Sequence, residues 1–187
     1  MFFLRRPTPA QVQVFLEQQR QEDYTYPQVG QTRNGLHPAG YTLDRHTAVL
    51  GSDDCFERAC EAVRRWRMFE TPWIRLMNPE APFAEGETLV VQVRHLGFYS
   101  LLPDRVVYTL DEPGRFGFGY GTLAGHAEQG EERFLVTRSE TGEVHFELHA
   151  FSRPRDPLAR LGTPVARALQ RAAAAAYTEA MRRAVAR

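Results

Sequence analysis

The sequence predicts an α+β fold in which a curved antiparallel sheet wraps a long C-terminal helix, with an extra helix at the N-terminus. Three observations predict it. From Glu87 to Phe151 the chain is a succession of alternating segments joined by short polar turns, the pattern of hairpin-linked antiparallel strands. Residues 164–186 keep helical spacing over about 34 Å at 1.5 Å per residue, and no other segment is large enough to cover one face of such a sheet. Glycine occupies every second position from Gly117 to Gly121, which weakens a strand and lets it bend. The 187 residues suffice for a single domain, 1–187, with a sizeable core.

Taken in order, Thr8-Pro9 is an N-cap followed by Pro at the first helical position. It opens a helix over 8–21 with Val12, Phe15, Leu16 and Gln19 inward. Residues 24–40 are rich in Gly and Pro and form an irregular connection. Tyr41 to Leu50 is a strand. Gly51-Ser52-Asp53 begins a second helix that runs to Phe69, with Phe56, Ala59, Cys60, Val63 and Trp66 on its packed face. Pro72 and Pro79 break the chain, and Trp73, Leu76 and Met77 between them form a short strand or wall. Glu87 to His95 alternates; if Leu89, Val91 and Val93 face inward, so does His95.

Arg105 to Leu110 is the next strand, and Asp111-Glu112-Pro113-Gly114 turns the chain into the glycine-rich stretch. There Phe116, Phe118, Tyr120 and Thr122 share one side and Gly117, Gly119 and Gly121 the other. The glycines kink the strand so that the sheet can wrap, or open room for a ligand; a phosphate-binding loop is a third option, but no helix follows whose N-terminus would hold phosphate. Gly125 to Glu132 reads as a hairpin connection whose carboxylates are solvated, Arg133 to Arg138 as a strand, Ser139 to Gly142 as a turn. Glu143 to Phe151 is a strand with Val144, Phe146, Leu148 and Ala150 toward the core. Asp156 to Gly162 forms a short turn, and Thr163-Pro164 caps the last helix. Its apolar side is Val165, Leu169, Ala172, Ala173, Ala176, Tyr177, Ala180, Met181 and Ala184. Such small residues either bring the helix tight onto the sheet or leave a gap above it, and a gap lined by aromatic strand residues is a pocket.

The formal charge is zero, so no global basic field argues for nucleic acid. All 23 basic residues are Arg, which removes any Schiff-base lysine mechanism. From Arg153 onward eight Arg face two acids, net +6; the first 152 residues carry 15 Arg against 21 acids, net −6. A basic terminal helix lying on a body of opposite sign accounts for this. Cys55 and Cys60, five residues apart on a helix, would point about 140° away from each other, so free thiols and a reducing cytoplasm are expected. The N-terminus MFFLRR lacks the apolar region of a signal peptide, and no apolar run approaches the ~20 residues of a membrane span.

Short motifs for chemistry are missing. No serine nucleophile elbow, P-loop, zinc-ligand pair or dinucleotide fingerprint occurs, so neither cofactor nor metal is expected. His145-x-Glu147-x-His149 looks like a metal motif, but in a straight strand the two histidines stand roughly 13 Å apart, too far to share one ion. His126 among Glu128, Glu131 and Glu132 is a weak metal signal on a turn.

The segments VGQTR at Val29, PAGY at Pro38, RVVYTLDEP at Arg105, GFGYGTLAGHAEQGEERF at Gly117 and AFSRP at Ala150 closely resemble one uncharacterised family, the domain-of-unknown-function family nineteen-ninety of bacteria and plants. That family looks related to the helix-grip superfamily of START domains, birch-pollen-allergen proteins and polyketide cyclases. The resemblance implies a hydrophobic cavity between sheet and C-terminal helix. The N-terminal helix and the loop through Gly40 are additions to the minimal grip fold. The family has no established activity, so no catalytic residue carries over.

The leading expectation is therefore a binder of a small apolar ligand, a lipid or an aromatic metabolite. Its site residues are Trp66, Trp73, His95, Tyr108, Phe118, Tyr120 and Tyr177, with His95, Tyr108 and Tyr120 as polar handles. The alternative is a cyclase- or hydrolase-like enzyme with His95 as general acid or base. A third is an interaction module built on the basic helix or on the tyrosines of residues 24–41.

Overall fold

The computed structural model describes residues 1–95, 97–155 and 163–186. Among them eight strands form one antiparallel sheet: β1 (Phe2–Phe3), β2 (Thr42–Ser52), β3 (Ile74–Leu76), β4 (Thr88–His95), β5 (Phe98–Glu112), β6 (Arg115–Thr122), β7 (Glu128–Arg138) and β8 (Glu143–Pro154). Their order is β2-β8-β7-β6-β5-β4-β3, with β1 on β5. Helix α1 spans Pro9–Gln19, α2 spans Phe56–Arg64 and α3 spans Thr163–Val185. The sheet curves around α3, which lies with α2 on its concave side; this is the helix-grip arrangement. The Asp156–Gly162 turn lies outside the described residues.

The N-terminal helix folds as its local chemistry directs. Thr8 and Gln11 form a reciprocal capping box. The buried residues of α1 are the expected Val12, Phe15, Leu16 and Gln19. They pack on Val90 and Leu101, so this extra helix covers the convex face. The strands run longer than the alternation suggests. Pro103 reads as a breaker, yet β5 runs through it. It sits where β5 changes neighbour from β1 to β6, so its missing N–H costs no ladder bond.

The expected second helix, 51–69, is instead three pieces: a 3-10 turn at Asp53–Cys55, α2, and a 3-10 turn at Arg67–Phe69. The break is at Trp66, whose φ of 57° is left-handed. Its indole is 2% exposed and donates to the Ala81 carbonyl at 2.9 Å, and it packs edge-on to Phe118. Burying that ring outweighs a backbone cost of roughly 1–3 kcal/mol.

The glycines of β6 lie on the convex side. A Cβ at Gly119 would collide with the Tyr108 ring, and one at Gly121 with Tyr26. They make room for tyrosines from outside the barrel, not for a ligand within it. Residues 24–40 cover this face. Glu131 anchors them: Oε2 accepts from the Tyr26 hydroxyl at 2.7 Å and the Gly30 N–H at 2.6 Å, and Oε1 from the Thr32 N–H at 2.9 Å and the Thr32 hydroxyl.

Helix α3 changes character along its length. Its second half is packed solid: Tyr177, Met181 and Val185 join Phe69, Phe134 and Val63 in the main core. Between Arg167 and Ala174 it is not. Ala172, expected inward, is exposed, while Ala173 and Ala174 face the sheet across a hollow. Arg167 pairs with Asp44 of β2, in keeping with a basic helix on an acidic body.

Candidate functional site

The hollow under the first half of α3 is a cavity of about 560 Å³ with mostly apolar walls. Its ceiling is Leu169, Gln170, Ala173, Ala174 and Tyr177. Its floor is the concave face from β4 to β2, with Val93, Leu102, Leu148 and Ala150 among the apolar wall residues. Alanines create it: side chains too short to reach the curved sheet leave the volume that larger residues fill further along the helix.

Of the residues singled out in the sequence, Trp73, His95, Tyr120 and Tyr177 line this cavity. Trp66 and Phe118 do not; both are sealed in the core, where Phe118 stacks on Phe134 at 5.1 Å. Tyr108 is on the opposite face. A β-bulge between Val106 and Tyr108 lets both residues keep the same parity yet point to opposite sides. Val106 enters the core, while the Tyr108 hydroxyl meets Thr32 Oγ1 at 2.7 Å beneath the 24–40 segment. His95 stands at the cavity rim, sharing a 2.8 Å hydrogen bond between Nε2 and Ser100 Oγ, with Nδ1 buried and unpartnered. Burial lowers its pKa.

The sequence reading missed the carboxyl groups. Glu128 and Glu132 are not on a solvated turn. Strand β7 begins at Glu128, and counting back in twos from Phe134 puts Glu132, Gly130 and Glu128 on the concave side. Likewise Asp104 lies two residues before the inward Val106. In sheet register Glu132 faces Tyr120 on one side and Ala150 on the other, and Asp104 is opposite Thr122, one step along.

These carboxyls differ in how they are satisfied. Asp44 has Arg167. Glu128 accepts from Gln170 Nε2 at 2.6 Å, and burial raises its pKa. Among the described residues Glu132 accepts only the Tyr120 hydroxyl, at 2.8 Å; burial lifts it to about 7 although that bond favours the ionised form. Asp104 is 1% exposed, its Oδ1 has no partner, and burial together with the nearby Glu132 holds it well above the usual carboxylate range. Such a pair offers a hydrogen-bond donor and a group able to gain or lose a proton near neutrality.

Among the described residues no cluster of three or more His, Cys, Asp or Glu side chains is arranged to hold a metal. His149 of the HxExH motif is on the convex face against Gly35, its pKa lowered to about 4 chiefly by burial. Cys55 and Cys60 are buried free thiols, Cys60 pushed up to about 12 by burial. No described helix is long and apolar enough to cross a membrane.

With the geometry in place, comparison with known proteins assigns the family. The model of DUF1990, a domain of unknown function, matches residues 25–180. A UPF0548 protein of Deinococcus radiodurans is 41% identical over 98% of both chains. One of Dictyostelium discoideum is 30% identical over 91% of this chain and 89% of that one. The chain belongs to the DUF1990 family. Three solved structures share its fold. Ara h 8.0201 has 12% identity and a TM-score of 0.50, covering 78% of this chain and 98% of that one. A norcoclaurine synthase point mutant from Thalictrum flavum has 11% and 0.50, covering 80% and 97%. The di-domain ARO/CYC StfQ has 15% and 0.50, covering 78% and 49%. At these identities the likeness shows the helix-grip fold and nothing of activity.

Proposed function

We propose that this DUF1990 protein binds a small, largely apolar molecule, a lipid or an aromatic metabolite, in the cavity under the first half of α3. One observation carries the reading: a partly open cavity of about 560 Å³ beneath Ala173 and Ala174, next to a core that Tyr177, Met181 and Val185 pack solid. Pockets of this size bury most of a drug-sized ligand. An apolar occupant would remove wall surface from water at about 25 cal/mol per Å². Trp73 and Leu102 supply apolar wall, and the hydroxyls of Tyr120 and Tyr177 supply polar tips.

Native mass spectrometry of the protein from its producing cells tests this. The wild type is expected to carry a mass adduct that Ala174→Leu lacks. Bare protein in both cases, with no small molecule recovered by extraction, contradicts it.

A second reading, a cyclase- or hydrolase-like enzyme, draws support from the proton-transfer range of Glu132 beside the Tyr120 hydroxyl. Glu132, with His95 at the rim, is then the acid–base residue. Glu132→Gln would keep affinity for an uncharged ligand within about threefold while lowering turnover by roughly 10² or more. Equal loss of both would remove the case for catalysis.

A further inference from the structure

We propose that the cavity selects ligands bearing a basic amine, whose ammonium group sits between the carboxyl groups of Asp104 and Glu132. This deepens the reading above and rests on it.

The argument starts from what is unpaired. Asp104 is 1% exposed and lines the cavity with an oxygen that accepts from nothing. A buried carboxyl without partners costs several kcal/mol unless it stays protonated or meets a cation. Among the described residues no basic group makes an ion pair with Asp104 or Glu132, although this chain is rich in Arg and two other cavity acids are provided for. Asp44 has Arg167, and Glu128 has Gln170 with Arg167 nearby. Two acids facing one apolar space, both left without a cation, match a ligand that brings its own.

The charged surroundings agree. Glu132 is faced by Asp104 and Tyr120 on the sheet, by Tyr177 on α3, and by Asp44 and Glu128. His46, His95, His126, Arg45 and Arg171 also line the cavity; Arg45 donates to the Gly35 carbonyl, Arg171 is exposed, and neither makes an ion pair with Asp104 or Glu132 among the described residues. Burial holds His95 below its ordinary range and His126 at about 4, so neither supplies a competing positive charge near pH 7. An ammonium ion entering here favours the ionised carboxyl, so binding displaces a proton and strengthens as pH rises through about 7.

The test is calorimetric titration of the full chain with three probes of one shape: 1-naphthylmethylamine, 1-naphthalenemethanol and 1-naphthoic acid. The amine is expected to bind at least tenfold more tightly than the alcohol at pH 8, and the acid more weakly than either. Its affinity is expected to rise several-fold from pH 6 to pH 8, where that of the alcohol stays level. Asp104→Asn and Glu132→Gln are each expected to reduce the amine's advantage while retaining the alcohol. An alcohol that binds as well as the amine in the wild type overturns the amine selectivity and leaves the apolar site standing. Binding of none of the three overturns both.

Discussion

Glu131 and Glu132 are consecutive in β7 and have opposite surroundings. Glu131 points to the convex face, where it accepts from Tyr26, Gly30 and Thr32 and ties the 24–40 segment to the sheet. Glu132 points into the cavity and, among the described residues, accepts from Tyr120 alone. One carboxylate has its hydrogen bonds met by the chain itself; the other is kept in a space that the chain leaves open. A strand's period of two puts these roles on neighbouring residues. The contrast teaches that burial alone does not single out a candidate acid; burial with hydrogen bonds left unmade does.

The largest expected effect is on the convex side. Glu131→Ala removes the acceptor of two backbone N–H groups and two hydroxyls, of which, among the described residues, only the Thr32 hydroxyl keeps another partner, Tyr108, and should destabilise by about 4 kcal/mol in urea unfolding. It should also open residues 24–40 to limited proteolysis. A loss below about 1 kcal/mol would make the two glutamates equivalent and break the comparison.

On the concave side the sign reverses. Glu132 binds its proton more tightly folded, at about 7, than unfolded, at about 4.3. The stability of its protonated form is present below the unfolded value and is lost as pH rises between the two, on the order of 3 kcal/mol. His149, lowered to about 4, works the other way: its contribution is present above about 6.5 and is lost as pH falls. The two slopes oppose each other, so Glu132→Gln is needed to separate them. This variant should match the wild type near pH 4 and be more stable than it at pH 8 in thermal melts. A variant less stable at pH 8 would show that the ionised Glu132 is structurally required.

Smaller effects sharpen the contrast. Ala174→Leu should weaken probe binding at least tenfold, about 1.4 kcal/mol, with folding stability changed by less than about 1 kcal/mol because it fills space instead of creating strain. Tyr108→Phe removes the hydroxyl bond to Thr32 and should cost about 1 kcal/mol. Because Tyr108 lies outside the cavity, probe affinity should not move.

Much of the fold was readable because its signals are local. The Thr8 cap, the inward set of α1, the hairpin turns and the long last helix all follow from short-range chemistry. The errors lie where tertiary contacts override it. Burial of the indole forces Trp66 into a left-handed conformation and ends α2 early. The bulge before Tyr108 reverses its face, and a bulge has no alternation signature. The cavity acids were legible in principle: extending β7 back to Glu128 and β5 back past Pro103 places Glu132 and Asp104 inward. A polar, Gly-bounded segment and a proline concealed both extensions. The helical period marked α3 as amphipathic, but which alanines meet a wall and which meet empty space depends on the curvature of the sheet.

Titration with the neutral probe N-phenyl-1-naphthylamine measures the occupancy of the α3 hollow most directly. Wild-type protein should give a saturable, one-to-one fluorescence increase at micromolar concentration, and Ala174→Leu should shift it to at least tenfold higher concentration while the fold remains intact by circular dichroism. No increase with the wild type, or an equal increase with both proteins, would contradict a binding site beneath the alanines of α3.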